Sequence, residues 1–205
     1  MVVYPLTLCN NEAMIFTVLG ILSSIIFLIG DIPYLADTLK GKTKPQRVTW
    51  GVVFLLNTIG FANQMASGAT NSLWLFGSAT LMTGAIFMAS FKNGVGGHSK
   101  ADITIIVTSL SGVFLWYIFN SPILSIITNV CVVTIALVPT FKKAKIDPNS
   151  ETRITWLLGT VSVVLAAISV GELNLSLLIL PVSSALLQGY MVYLLYIRPK
   201  KLENN

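Results

Sequence analysis

The sequence predicts an all-α integral membrane protein of seven spans, built as two like-oriented copies of a three-span unit with one connecting span. Three observations predict it. The 205-residue chain is 54% hydrophobic and only 10% charged, with a mean hydropathy of +0.79, which leaves too little polar surface to cover a soluble globule. All 13 Lys and Arg residues fall in alternate connections between apolar runs. And Pro33, Arg47, Thr49 and Trp50 recur, with the same internal spacing, as Pro139, Arg153, Thr155 and Trp156.

The apolar runs cover 13–39, 48–66, 72–91, 103–119, 122–141, 154–170 and 174–197. Each is about as long as a helix must be to cross a hydrocarbon core of roughly 30 Å, and none alternates as a barrel strand does. In lipid, helices satisfy their own backbone polar groups. The connections 40–47, 92–102 and 142–153 and the tail from 198 carry every basic residue, whereas 1–12, 67–71, 120–121 and 171–173 carry none and hold two acids, Glu12 and Glu172. Basic loops stay cytosolic, which predicts an outer N-terminus and a cytosolic C-terminus, as an odd number of spans requires. Topology thus accounts for the formal charge of +5, and no nucleic-acid partner is implied. The first span lacks a basic leader and reads as a retained helix, not a cleaved signal. Cys9 and Cys131 lie at different depths, so no disulfide between them is expected.

Without gaps, Ile29 to Gln64 overlays Ile135 to Val170, and a three-residue shift then pairs Gly68 and Asn71 with Gly171 and Asn174. Equivalent helices are separated by an even number of spans, so both copies enter the membrane from the same side. The fourth span is the connector that this orientation needs.

The chain resembles the SWEET, SemiSWEET and PQ-loop transporter superfamily, through the intramembrane Pro33 and Pro139, the basic loops that follow, and the hydroxyl residues Thr49 and Thr155 opening the next helix. The family's Pro-Gln pair appears here as Pro33-Tyr34 and Pro139-Thr140, while Pro45-Gln46 falls in a cytosolic loop. The resemblance implies a 3+1+3 arrangement of two triple-helix bundles, here residues 1–97 and 122–205 with a linker helix within 98–121. It also implies a pocket between spans one, two, five and six, in a carrier of a small polar solute such as a sugar or amino acid working by alternating access. The alternative on the same architecture is a non-transporting receptor or membrane partner, as the KDEL receptor resembles it.

Candidate residues follow from the cost of polarity in lipid. Pro33 and Pro139 lack an amide hydrogen and clash with the carbonyl four residues back, so each is expected to free a carbonyl, Ile29 or Ile135, and to act as a hinge; proline is also simply common in membrane helices. Asp31 is the one acid well inside an apolar run, where a carboxylate costs about 2.5–3.5 kcal/mol unless it finds water, a partner or a proton. It is a candidate for solute contact and proton coupling, or for bonding backbone freed by the kink. Asn57 and Asn129 lie near the expected midplane, as solute contacts or as interhelical glue. Gln188 and Tyr190 rank lower, being on a helix that is peripheral in the resembled family. Trp50, Trp156 and Trp74 are expected to anchor at the membrane boundaries.

No nucleophile–base set, phosphate loop or metal cluster is visible, and His98 stands alone in a glycine-rich loop, so neither an enzyme nor a metal or cofactor site is expected. The seventh span holds no lysine for a retinal Schiff base. The partners expected are a small polar solute, the bilayer and protons, in a plasma or bacterial inner membrane.

Overall fold

The computed structural model describes residues 6–97, 99–100, 102–104, 106–107, 114, 118 and 122–198. Among them the chain forms helices α1 (Leu6–Leu39), α2 (Arg47–Ala66), α3 (Leu73–Asn93), α4 (Pro122–Ile146), α5 (Arg153–Ser169) and α6 (Leu175–Val192), the last running into a wider π turn, Tyr193–Ile197. A single 3-10 turn, Pro148–Ser150, precedes α5. The fourth predicted span lies mostly outside the described residues, as does His98.

Four segments are long and apolar enough to cross a membrane on those grounds alone: Met14–Leu39, Leu73–Asn93, Ile126–Ile146 and Leu175–Ile197. The apolar α5 is shorter. Burial supports a lipid environment, because the polar groups are inside and the apolar ones outside. On α1, Ile21, Ile25, Ile29 and Ile32 are exposed, while Ser23, Ser24 and Asp31 on the same turns are buried. The buried Asn63, Gln64, Thr83, Asn129 and Ser162 continue the pattern on the other helices. A soluble domain does the reverse; in a bilayer the exterior must match hydrocarbon, and interhelical hydrogen bonds hold the interior. Cys131 is a free, exposed thiol on that apolar exterior.

Helix α3 lies beside both α1 and α2, and α6 lies beside both α4 and α5, while α1 meets α5 and α2 meets α4 across the middle. Side-chain amides and hydroxyls join these faces. Asn129 donates to the Leu56 carbonyl at 3.0 Å, Gln64 to that of Leu177 at 3.3 Å, and Asn71 to that of Ser169 at 3.4 Å. Helices α2 and α5 each end at a glycine of left-handed backbone, Gly68 (φ 81°) and Gly171 (φ 73°), a conformation that L side chains resist.

The basic loops are built tightly. The Gln46 side chain caps α2, accepting from the Thr49 amide at 3.0 Å and donating to Asp102 at 2.5 Å. The segment after α3 pairs with it through Arg47 N to the Val95 carbonyl and Val95 N to that of Pro45, both 2.8 Å. The Arg47 guanidinium reaches the Ser90 and Gly94 carbonyls at the end of α3, where a positive charge complements the helix dipole.

Candidate functional site

Pro33 and Pro139 sit within α1 and α4, and both helices continue through them. The residue three before each proline is small, Gly30 or Ala136, and that small residue admits a partner helix closely; a Cβ on Gly30 would lie 2.9 Å from Leu158. Into this gap the opposing helix delivers a hydroxyl. Thr155 donates to the Gly30 carbonyl at 2.6 Å, and Thr49 donates to that of Ala136 at 2.7 Å. The carbonyls engaged are thus one residue later than the Ile29 and Ile135 carbonyls expected from proline chemistry.

Between these contacts lies a partly open cavity of about 120 Å³ to which all six of these helices contribute. Its walls are largely apolar, including Phe27, Leu75, Phe76, Val133, Leu137 and Leu187. The polar groups are few: Asp31 from α1, Thr49 and Asn57 from α2, Thr83 from α3, Thr140 from α4, Thr155 from α5, and Ser184 and Gln188 from α6. Apolar walls with a few convergent polar groups are the usual make-up of a small-molecule site.

Several of those polar groups are unspent. Asp31 is 4% exposed and has no hydrogen-bond or ion-pair partner among the described residues. The Thr140 hydroxyl is buried and likewise unpartnered. Asn57 donates its amide to Thr83 at 3.3 Å, which leaves its carbonyl oxygen open among the described residues. Gln188 approaches so closely that a Cβ on Gly159 would lie 2.1 Å from its Oε1.

The structure therefore brings Asp31 and Asn57 to one cavity but not Asn129. The Asn129 amide is committed to the Leu56 carbonyl, and the residue stands outside the cavity wall, which makes it interhelical glue. Trp50 and Trp156 also depart from the sequence reading. Both are 7% exposed and line the cavity, so they face the interior and do not anchor at a lipid boundary. Their indole N–H groups are taken: Trp50 donates to the Tyr34 hydroxyl at 3.1 Å, and Trp156 to Glu151 at 3.2 Å. Trp74 is 55% exposed, as an anchor would be. Gln188 and Thr140 were undervalued by sequence. The available signals were the glycine at 159, which makes room for a long side chain, and the hydroxyl directly after Pro139.

At the basic end the halves are bridged by Thr43 to Thr152 (2.7 Å), Thr152 to Asp37 (3.2 Å) and Lys143 to the Lys44 carbonyl (2.7 Å). Lys143 also pairs with the fully buried Glu151, its ammonium 2.5 Å from Oε1 although not aligned as a hydrogen bond. At the other end, Asn71 joins Thr17 to Ser169 beside a small polar recess that includes Glu172. The central cavity is thus flanked by contacts at both ends. No protein-family model, curated protein or solved structure matches this chain.

Proposed function

We propose that this chain is a carrier that moves a small polar solute across a membrane by alternating access, and that it has the SWEET-like architecture its sequence resembles. On this reading seven spans form two like-oriented triple-helix bundles, with the N-terminal end of α1 outside and the basic loops in the cytosol of a plasma or bacterial inner membrane. The observation that carries it is the cavity walled by both halves, in which the buried Asp31 and Thr140 have no hydrogen-bond partner among the described residues. Buried polar groups without partners are rare in proteins and mark places where something else supplies the bond.

Further support comes from how the halves meet. Exchanging α1–α3 for α4–α6 carries each principal helix contact onto another, although α1 packs on α5 more extensively than α2 on α4, and the hydroxyl-to-carbonyl contacts at Pro33 and Pro139 are reciprocal. Such an arrangement suits two units that rock about a fixed site. Pro33 and Pro139 would be the hinges, and the contacts at either end the gates. Asp31 would carry a proton in a coupled version of the cycle, since a buried carboxylate crosses a low-dielectric path most cheaply when neutralised; α4 has Leu137 at the equivalent place, so coupling would involve one half only.

Counterflow in proteoliposomes tests the reading. Vesicles preloaded with hexoses, amino acids or small organic amines should accumulate the matching labelled solute faster than protein-free vesicles, and Gln188→Leu or Asn57→Leu should abolish the difference. No counterflow for any class would overturn it. An Asp31→Asn carrier whose uptake no longer responds to a pH gradient would support coupling; an unchanged response would remove Asp31 from that role while leaving facilitated transport.

A further inference from the structure

The charges around the cavity are one-sided. Among the described residues, Asp31 is the only ionisable carboxylate in its wall, and no Lys, Arg or His lines it. The nearest titratable neighbours, Tyr34 and beyond it Glu151, are acids as well. Basic side chains close to the cavity ends are already engaged: Lys143 with Glu151 and the Lys44 carbonyl, Arg47 with the end of α3, Arg153 with Asn149. No described protein cation can therefore reach Asp31. A solute anion would add like charge beside the Asp31 carboxylate, and a neutral polyol would leave Asp31 to be neutralised by a proton, so a cation is the solute that makes use of its charge.

The remaining surface suits a cation with an apolar body. Trp50 and Trp156 have committed their N–H groups, so what they offer the cavity is carbon surface and π density, which attracts ammonium groups. Phe27 and Phe76 extend that surface. The Thr140 hydroxyl oxygen and the Gln188 carbonyl can accept N–H donors beside the carboxylate. The recess at the end opposite the basic loops is lined by Glu172 and, among the described residues, by no basic side chain. A volume of about 120 Å³ accommodates on the order of ten water-sized groups, the scale of a small amine.

From this, and resting on the carrier reading above, we infer that the solute is a small organic ammonium ion, its charged head on Asp31 and its apolar body between Trp50 and Trp156. Asp31 then accepts either the ammonium group or a proton, and the two compete for the same carboxylate.

Three compounds sharing one carbon skeleton test this: phenethylammonium, 2-phenylethanol and phenylacetate, titrated onto the detergent-purified full chain and followed by tryptophan fluorescence and thermal shift. The ammonium compound should bind at least tenfold more tightly than the alcohol, and the carboxylate should not bind. In Asp31→Asn that tenfold preference should vanish while alcohol binding persists, which also reports that the variant is folded; Asp31→Glu should retain the preference. Equal binding of ammonium and alcohol by the unaltered protein overturns the inference, as does no ammonium binding or a preference that survives Asp31→Asn. The unaltered protein decides the matter even if Asp31→Asn does not fold. Ammonium binding without counterflow would sink the carrier and leave this site, whereas counterflow of a neutral solute without ammonium preference would do the opposite.

Discussion

Thr155 on α5 donates its hydroxyl to the carbonyl of Gly30 on α1 at 2.6 Å, three residues before a proline, and Thr49 on α2 makes the same contact at 2.7 Å with Ala136 on α4. Each hydroxyl crosses from one half of the molecule to the other. A proline weakens the local ladder of its own helix, and a side chain from the opposing helix satisfies a carbonyl there. The weakest points of α1 and α4 are thereby the points where the halves hold one another.

Replacing either threonine by valine keeps the shape and removes the hydrogen bond. Interhelical hydrogen bonds in membrane proteins contribute about 0.6 kcal/mol on average, and up to about 1.7. Thr49→Val and Thr155→Val should therefore lower the melting temperature in detergent measurably, with the serine variants restoring it. Thr160→Val is the control: that hydroxyl bonds the Trp156 carbonyl of its own helix at 2.8 Å, so its loss should change stability little.

Two glycines should respond oppositely to alanine. A Cβ on Gly20 would lie 2.3 Å from the Asn71 carbonyl oxygen, a backbone atom held by its loop. Relieving that clash means separating α1 from the loop before α3, and overpacking of this kind costs about 1–3 kcal/mol. A Cβ on Gly159 meets only the end of the Gln188 side chain, which can swing aside. Gly20→Ala should thus melt several degrees lower with ligand affinity kept in the folded fraction, whereas Gly159→Ala should melt near the unaltered protein and change affinity, because it moves a cavity wall. Thermal melts and titrations on the same samples separate the two effects.

The membrane-protein class was legible because it follows from composition: so apolar a chain has to put its polar groups inside. The proline and threonine positions were legible as a spaced pattern, but their meeting was not, since it arises from α1 packing on α5 and α2 on α4, contacts between residues far apart in sequence. Where sequence reading failed, it knew depth along a helix and not the face. Asn129 lies at a plausible depth yet faces the Leu56 carbonyl, and Trp50 and Trp156 open their helices yet turn inward. Gln188 was discounted by its helix when its own turn of that helix points at the cavity.

Lys143 and Glu151 give an unequal pair of variants. The Glu151 side chain is fully buried, whereas that of Lys143 is 21% exposed. Lys143→Met strands a buried carboxylate whose remaining support is the Trp156 indole and the Tyr34 hydroxyl, and breaking a buried pair from one side costs about 3–5 kcal/mol. Glu151→Gln keeps an acceptor for that indole and leaves an ammonium group that can reach water. Urea or thermal unfolding should rank Lys143→Met as clearly the more damaging, with the double variant milder than Lys143→Met alone; equal losses would mean the two side chains do not depend on one another.

Asp102 sets an acid limit on the segment that follows α3. Burial pushes its carboxyl up, but hydrogen bonds from the Gly97 and Ser99 amides and from Gln46 outweigh that and hold it down at about 2, from an ordinary value of 3.8. Ser99 accepts in return from the Asp102 amide at 3.0 Å, a reciprocal cap that starts a helix. A carboxyl lowered by folding adds stability that is fully present above its unfolded value and is lost as pH falls through its folded one. The advantage of the unaltered protein over Asp102→Asn should therefore be constant from neutral pH down to about 5 and then shrink steadily toward pH 2. Melting curves across that range measure the gap, and amide exchange at Gly97 and Ser99 should quicken over the same interval. A gap that widened on acidification would mean that Asp102 is held in its neutral form, and that its partners donate nothing to it.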